Sequence, residues 1–374
     1  MLIGVDARSL LCAEPRGEGK SLLRLYSELA ALDPCLTFVF FGDESSRLYS
    51  GPLPPRTTVS LLGSRGSRFN WWENMRLPLA AKRFACDVLH CTSSGSPRWA
   101  WLPTVMTVHD LIPMLQFDDH DPAQARAFRI RLANGVRTCH AVITVSENTK
   151  QDLLQEFPAA ATKTHVVYWG RPDVGNRVKP QGTAATNPNP YVLAFGGAAP
   201  RKNTAYTLER FAGARAQTPD LRLTLVGLSS QSHIDAVLTQ AQRLGIREYL
   251  DLPGFVTEEE LQTLVGGALA VLYLSRYEGF GLPILEALSM GTPVIASNAA
   301  SVPEVLGGSG GCFPLSEPDR IERAIASLVA SESFRAQLLA AEQQAVLKFN
   351  WRTTASNTLH ILRQAAVCNV GQRG

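Results

Sequence analysis

Short apolar segments alternate with longer amphipathic segments along this chain, and the alternation occurs in two separate series. Apolar runs of this length, flanked by helical patterns, predict buried parallel strands covered by helices on both faces. We therefore predict an α/β protein with two parallel-sheet domains. The predicted strands are LIGVDA, TFVFFG, DVLHCT, TVMTVHD, HAVITVS and THVVYW in the first series, and YVLAFGG, RLTLVGL, YLDLPGFV, LAVLYLS, TPVIAS and GGCFPL in the second.

The two series are separated by residues 171–190, RPDVGNRVKPQGTAATNPNP, which are rich in Pro, Gly, Asn and Thr. Such a segment without apolar periodicity is typical of an interdomain linker. A length of 374 residues also favours two domains over one. We predict Rossmann-like domains over residues 1–170 and 191–350, followed by an amphipathic helix within residues 351–374.

Composition restricts the class of protein. The formal net charge is +3, with 45% hydrophobic and 18% charged residues, as in soluble globular proteins. No apolar run reaches the roughly 18 residues that a membrane span requires. The beginning of the chain, MLIGVDARSLL, predicts a strand and not a signal peptide. Seven scattered cysteines without a CxxC pair indicate reduced thiols and no zinc site, so we expect a cytoplasmic protein.

Basic and aromatic residues are concentrated between residues 50 and 100. Two interpretations remain open: a surface that contacts an anionic membrane or a phosphate-bearing lipid, and a solvated face with tryptophans packed beneath it. No nucleic-acid recognition motif is present, so nucleic acid is not an expected partner. The residues are Arg56, Arg65, Arg68, Arg76, Lys82, Arg83, Arg98, Trp71, Trp72, Trp99 and Trp101, opposed by Glu73 and Asp87.

The segment LYLSRYEGFGLPILEAL places carboxylates on both sides of a glycine-rich turn. Gly279 and Gly281 permit a tight turn with Phe280 between them, and a proline at residue 283 fits the first position of a helix. Glu286 then lies in the first helical turn and Glu278 precedes the turn. Two carboxylates near a polyol accept hydrogen bonds from adjacent hydroxyls. The alternative is a surface Glu278 and a Glu286 that the helix dipole favours.

A second glycine-rich turn, LAFGGAAPRKN, carries the basic pair Arg201 and Lys202 after a predicted strand. Gly197 precedes that pair. Cations at a strand-to-helix turn suit a diphosphate, and the alternative is two surface cations.

Three further candidates lie in the first series. His109 follows a predicted strand, where histidines often line a ligand site, although a buried structural histidine fits equally well. Gly17 and Gly19 precede a helix that we predict to begin near Ser21, either as a binding loop or as an ordinary surface loop. Asp119 and Asp121, either side of His120, form a D-x-D pair, for which we favour a solvated loop or acceptor contact over a metal site.

Together these motifs resemble the retaining glycosyltransferases of family 4, which have the GT-B fold. The match is strongest in YEGFGLPILEALSMGTPVIAS, is supported by GGAAPRKN, VHDL and VSENTKQDL, and extends from GVDARSL to FNWRTTASNTL. The resemblance implies two Rossmann-like domains around a cleft, with the C-terminal helix packed back on the first domain. Two segments depart from the usual pattern, RGEGKS at the N-terminal loop and VVYWGRPD after the last strand of the first domain.

The resemblance also implies roles for the candidate residues. Arg201 and Lys202 would hold the donor pyrophosphate, and Glu278, with the backbone amides of residues 279–281, would contact the transferred sugar. Glu286 would bind the ribose and His109 would lie near the sugar and the acceptor. The N-terminal loop with Gly17 and Gly19 would approach the phosphates.

The implied function is transfer of a hexose with retention of configuration and without a metal or other cofactor. We expect GDP-mannose as the donor and a lipid-linked saccharide or polysaccharide as the acceptor, on the inner face of a membrane. The alternatives are a UDP-sugar donor, a GT-B nucleotide-sugar epimerase, and an inert partner protein that binds nucleotide sugars.

Overall fold

The computed structural model describes residues 1–43, 46, 49–63, 71–99, 101–115, 121–172, 190–228, 230–254 and 256–367. Within these ranges the chain divides into two compact units. The first comprises Met1–Leu115, residues 121–170 and residues 349–367, and the second comprises residues 171–172 and 190–348. Most of the predicted linker, together with Arg65, Arg68, Asp119 and His120, lies outside the described residues.

The first unit contains a parallel sheet of seven strands in the order β3-β2-β1-β4-β5-β6-β7. Its central strands consist almost entirely of buried residues, as the apolar runs predict. The strands are β1 (Leu2–Asp6), β2 (Thr37–Gly42), β3 (Thr57–Leu61), β4 (Val88–Cys91), β5 (Thr104–Val108), β6 (Ala141–Thr144) and β7 (Thr164–Val166).

Four helices of the first unit follow these strands along the chain. Ser146 caps α4, because its hydroxyl oxygen accepts a 3.0 Å hydrogen bond from the backbone N–H of Thr149. The helices are α1 (Gly17–Leu32), α2 (Leu77–Arg83), which continues a π-helical turn over Trp72–Arg76, α3 (Pro122–Thr138) and α4 (Glu147–Glu156).

The second unit contains a parallel sheet of six strands in the order β10-β9-β8-β11-β12-β13. The strands are β8 (Tyr191–Phe195), β9 (Arg222–Val226), β10 (Leu250–Asp251), β11 (Val271–Tyr273), β12 (Val294–Ser297) and β13 (Cys312–Phe313). The helices are α5 (Thr204–Arg215), α6 (Gln231–Arg243), α7 (Glu258–Gly266), α8 (Leu282–Ser289), α9 (Val302–Leu306), α10 (Pro318–Ala330) and α11 (Glu332–Ala345).

The last helix, α12 (Trp351–Val367), packs within the first unit against α1. Its apolar face, which includes Leu359 and Leu362, joins the core formed by Leu25, Leu29 and the sheet. Burial of this face accounts for the amphipathic pattern in the sequence. No helix in the described ranges is both long enough and apolar enough to cross a membrane.

The strand order reverses direction once in each sheet, between β1 and β4 and between β8 and β11. In open α/β sheets, ligands bind beside the carboxyl ends of the strands at such a switch point. The predicted architecture of two Rossmann-like parallel sheets is confirmed.

Two details of the prediction are wrong. The strand β3 was not expected, because its residues TTVSL are mostly exposed at the sheet edge and form no apolar run. Helix α1 begins at Gly17 and not near Ser21, so Gly17 and Gly19 are helical residues instead of loop residues. Glycine has a low helix propensity, and a sequence pattern therefore places the start too late.

Candidate functional site

The basic pair and Glu278 come together at the switch point of the second unit. The turn after β8 places Arg201 and Lys202 in a short 3₁₀ segment, Pro200–Lys202, and Glu278 follows β11. Lys202 Nζ lies 2.8 Å from Glu278 Oε1, and Arg201 Nη1 lies 3.4 Å from Glu278 Oε2. The two cations therefore share one carboxylate at the carboxyl end of the sheet.

These three side chains are largely removed from water. The exposed fractions are 19% for Arg201, 22% for Lys202 and 11% for Glu278. Charges at this depth interact more strongly than on an open surface, and each retains an exposed edge. The cluster can therefore exchange partners with a charged or hydroxyl-bearing ligand.

Backbone contacts fix the two turns relative to each other. The N–H of Arg276 donates to the carbonyl of Arg201 at 2.7 Å, and the side-chain amide of Asn203 donates to the carbonyl of Leu274 at 3.0 Å. Asn203 has a φ of 55°, a left-handed conformation that asparagine tolerates better than most residues. The hydroxyl of Ser301 donates to the carbonyl of Glu278 at 2.8 Å. Hydrogen bonds thus hold together the backbone segments that carry the three charged side chains.

Tyr273, the last residue of β11, lies at the base of this cluster. Burial, the charge of Glu278 and a hydrogen bond to Glu278 hold the pKa of the Tyr273 hydroxyl well above its usual value. Lys202 Nζ lies 5.7 Å from the centre of its ring. The phenol therefore remains protonated and serves as a hydrogen-bond donor beside the carboxylate. Its position in an apolar strand gave no signal in the sequence.

The turn that precedes α8 has the predicted glycine conformation but a different helix boundary. Gly281 caps α8 with a φ of 104°, which a residue with a Cβ would adopt only with strain. Phe280 is buried. Because α8 begins at Leu282, Glu286 is its fifth residue, and its predicted placement in the first turn is wrong. Glu286 nevertheless lies near enough to act electrostatically on Tyr273.

Gly197 packs closely against the basic pair. A Cβ on this residue would lie 3.2 Å from Lys202 Cγ, and its backbone N–H donates to the Thr204 hydroxyl at 3.3 Å. The glycine thus allows Lys202 to fold back toward Glu278.

In the first unit, His109 directly follows β5 and contacts Glu18 on α1. His109 Nε2 donates a 2.6 Å hydrogen bond to the carbonyl of Thr92 and lies 3.4 Å from Glu18 Oε1. Its ring centre lies 5.1 Å from that of Trp169. Glu18, His109 and Trp169 line one pocket together with the apolar residues Leu22, Leu25, Ile143 and Val167. Glu18 was not a sequence candidate, because the recognisable pattern of its segment is formed by its neighbours Gly17 and Gly19.

The two N-terminal glycines have different surroundings. Gly17 is exposed, whereas Gly19 is buried. A Cβ on Gly19 would lie 2.1 Å from the carbonyl oxygen of Ser9, so this glycine is needed for close packing of α1 on the loop after β1.

A second group of charges surrounds Glu73 in the first unit. Arg8 pairs with Asp6 at 2.7 Å, and one guanidinium nitrogen of each of Arg8 and Arg131 lies 3.8 Å and 3.7 Å from Glu73 Oε1. Burial raises the pKa of Glu73 to about 7, although both arginines oppose the shift. Arg131 also donates to the carbonyl of Ser93 at 2.6 Å. These contacts hold the loop after β4.

The remaining residues singled out in the sequence are Asp121 and the basic and aromatic residues between residues 50 and 100, and some of them have roles in the fold. Asp121 caps α3 by accepting a 3.0 Å hydrogen bond from the N–H of Ala123. Arg56 is exposed, and its guanidinium donates to the carbonyls of Leu36 and Ala30 at 2.9 Å each, which ties it to the backbone of the first unit. Trp72 is buried, whereas Trp71 and Trp99 are 51% and 53% exposed.

Comparisons with known proteins agree with this architecture. Residues 15–172 match the family model for Glycosyltransferase Family 4, and residues 177–345 match the model for glycosyl transferases group 1. Together the two models span most of both units.

Individual relatives are similar to this chain at modest identity. O-antigen chain mannosyltransferase B of Escherichia coli is 27% identical over 68% of this chain and 69% of its own length. The MMP alpha-(1->4)-mannosyltransferase of Mycolicibacterium hassiacum is 28% identical over 77% of this chain and 72% of its own. Among solved structures, sucrose-phosphate synthase of Thermosynechococcus elongatus has a similar fold, with a TM-score of 0.76 and 17% identity over 98% of this chain and 100% of its own.

Proposed function

Because the chain belongs to the family 4 glycosyltransferases of the GT-B type, we propose that it transfers a hexose from a nucleotide diphosphate sugar to a lipid-linked saccharide or polysaccharide. Our first choice of donor is GDP-mannose, and we propose transfer with retention of configuration. Two of the similar proteins described above are mannosyltransferases, which supports mannose. A UDP-sugar is the alternative donor.

The observation that carries this proposal is the contact of Arg201 and Lys202 with Glu278 at the switch point of the second unit. A bound diphosphate offers the two cations a more highly charged partner than one carboxylate. Glu278 is then released to accept hydrogen bonds from sugar hydroxyls. Glu286, which follows in α8, is the proposed ribose ligand. One cluster thus recognises both the phosphate and the sugar part of a donor.

The same cluster suits the chemistry of the reaction. As the bond between the sugar and the diphosphate breaks, negative charge accumulates on the departing oxygen. Arg201 and Lys202 stabilise this charge, and the backbone contacts of their turn keep them in position without reorganisation. We propose that these residues supply the required positive charge and that no metal ion takes part.

An anionic membrane surface is the proposed location of the acceptor, on the cytoplasmic side. Trp71 and Trp99 are exposed, and the guanidinium of the exposed Arg98 lies 6.0 Å from the centre of the Trp99 ring. Asn74 accepts a 2.6 Å hydrogen bond from the N–H of Arg98, which ties the segment with Trp99 to the helix after Trp71. Exposed tryptophans beside cations suit a lipid interface.

The donor proposal is tested by thermal unfolding of the full chain with GDP-mannose, UDP-glucose and ADP-glucose. Binding to the native state raises the midpoint by mass action, by an amount that grows with ligand concentration. We expect the largest rise with GDP-mannose, and release of GDP that a metal chelator leaves unchanged. Conversion of the free donor without an acceptor would favour an epimerase. Binding without transfer or hydrolysis would favour an inert partner.

The membrane proposal is tested by sedimentation with vesicles of phosphatidylglycerol and of phosphatidylcholine. We expect binding to the anionic vesicles, weakened by a Trp71→Ala and Trp99→Ala double substitution. Leu347→Ala is the matched control, because Leu347 is 48% exposed in the other unit. Equal binding of all variants to the anionic vesicles would contradict the membrane proposal and favour a solvated face.

A further inference from the structure

The segment between β11 and Glu278 carries a further arginine, Arg276, which was not a candidate from the sequence. Its backbone N–H donates to the carbonyl of Arg201 at 2.7 Å, so the two side chains leave from adjacent, hydrogen-bonded segments of backbone. Arg276 is exposed, whereas Arg201 and Lys202 are half-buried. Arg276 therefore lies beside the basic pair with its side chain open to solvent.

The guanidinium of Arg276 is held at one nitrogen. Nε donates to Oδ1 of Asn203 at 3.1 Å, and Nδ2 of the same amide donates to the carbonyl of Leu274 at 3.0 Å. Asn203 is buried. Because the two hydrogen bonds use both ends of the amide, they fix its orientation. Arg276 is thus anchored through Nε to a side chain that is itself held in place.

The terminal nitrogens of this guanidinium have no protein partner in the described part of the chain. There Arg276 forms no ion pair and donates only through its backbone N–H and Nε. Holding a long side chain in one conformation costs conformational entropy, and the anchor has already met part of this cost. Nη1 and Nη2 belong to the planar fork with which arginine binds phosphate or carboxylate oxygens. The anchored side chain is therefore suited to an anion from outside the protein.

The charges around this turn also favour an anionic ligand. Arg201 and Lys202 share the carboxylate of Glu278, and Arg276 adds a third cation. Asn203, which anchors Arg276, also precedes α5, and the dipole of a helix disfavours a cation at its N-terminal end. A ligand with several negative charges would relieve this repulsion, as a diphosphate does.

We propose that Arg276 is a third cation of the donor site and that its Nη groups donate to oxygen atoms of the donor diphosphate. This inference rests on the proposed sugar transfer and adds a diphosphate contact to those of Arg201 and Lys202. A guanidinium keeps its charge throughout the physiological pH range and donates paired hydrogen bonds in one plane. The diphosphate gains negative charge as the sugar leaves, and a cation anchored beforehand stabilises that charge without rearrangement.

The substitution Arg276→Gln separates ligand binding from the anchoring of Asn203. The amide nitrogen of a glutamine side chain occupies the position of arginine Nε, so the hydrogen bond to Asn203 is kept while the positive charge and both Nη groups are lost. Arg276→Ala removes the hydrogen bond as well. Arg243→Gln is the matched control, because Arg243 is an exposed arginine in the last turn of α6.

Calorimetric titration of GDP into the full chain measures the effect on donor binding. We expect Arg276→Gln and Arg276→Ala to bind GDP at least about tenfold more weakly than the wild type, because a charge-assisted contact is lost, and Arg243→Gln to bind as the wild type does. Wild-type affinity in Arg276→Gln would overturn the proposal. A loss confined to Arg276→Ala would show that Arg276 only anchors Asn203.

Thermal unfolding with inorganic pyrophosphate separates this inference from the proposed function. Pyrophosphate offers the phosphates without a sugar or a base, so the midpoint should rise with its concentration in the wild type and in Arg243→Gln, and rise less in Arg276→Gln. That result would support the contact even if no nucleotide sugar is turned over. An equal rise in the wild type and Arg276→Gln, or no rise in the wild type, would overturn it.

Discussion

Lys202 Nζ lies 2.8 Å from Glu278 Oε1, although the two residues are 76 positions apart in the chain. The contact exists because β8 and β11 are neighbours in the sheet and both turns leave from their carboxyl ends. A basic pair and an acidic residue that the sequence suggested separately thus form one cluster.

Substitution of Arg201 or Lys202 by Ala should reduce turnover by about 10²–10³-fold, as loss of a transition-state charge partner does in other enzymes. The charge on the diphosphate develops only as the bond breaks, so folding should be affected much less. Steady-state release of nucleoside diphosphate measures the effect. Arg222→Ala is the matched control, because Arg222 begins β9 and pairs with Asp251 away from the cluster. Equal rates in all three variants would argue against the assignment.

Substitution of Glu278 by Gln should separate recognition of phosphate from recognition of sugar. The variant lacks the negative charge that competes with a diphosphate for the two cations, so it should bind the nucleoside diphosphate at least as tightly as the wild type. It should lose most of the additional affinity for the nucleotide sugar, because the sugar hydroxyls lose a charged acceptor. Calorimetry with both ligands gives the comparison. A parallel loss for both ligands would mean that Glu278 only supports the turn.

Glu342 on α11 should make stability depend on pH. Its Oε2 accepts a 2.9 Å hydrogen bond from the N–H of Val294, and burial raises its pKa to about 8. An acid with a raised pKa contributes its full stability below the unfolded pKa, and this contribution declines as pH rises toward 8. Glu342→Gln should remove most of this decline in the free energy of unfolding, which is on the order of a few kcal/mol. Denaturant unfolding between pH 5 and 9 measures it, with exposed Glu332→Gln as the control.

Substitution of Gly19 by Ala should destabilise the first unit by about 1–3 kcal/mol, as expected for overpacking. The added Cβ would meet the Ser9 carbonyl, so α1 or the loop after β1 must move. Gly17→Ala, at an exposed position in the same turn, should cost little. Chemical denaturation of both variants gives the difference. An unchanged free energy of unfolding in Gly19→Ala would show that the loop after β1 can move to accept the added Cβ.

The sequence predicted every central strand, because a strand buried on both faces needs a continuous apolar run. It failed at β3, whose side chains are mostly exposed, and at the start of α1, where packing against Ser9 overrides the low helix propensity of glycine. The pattern of apolar residues predicts which strands are buried, but it does not predict where two backbone segments pack closely against each other.

The candidate site was predictable where a motif joins a strand end to a turn, as at Arg201 and Glu278. Tyr273 was not predictable, because a tyrosine at the end of an apolar strand cannot be distinguished in the sequence from any other aromatic residue of the core. Glu18 was not either, because its importance arises from contact with His109, a residue far away in the chain.

The most direct test of the account is calorimetric titration of GDP-mannose into the full chain and into an Arg201→Ala and Lys202→Ala double variant. We expect saturable binding to the wild type and at least about 10²-fold weaker binding to the double variant, since two charge-assisted contacts to the diphosphate are lost. Equal affinity in the two proteins, with both folded, would contradict the assignment of this cluster as the donor site.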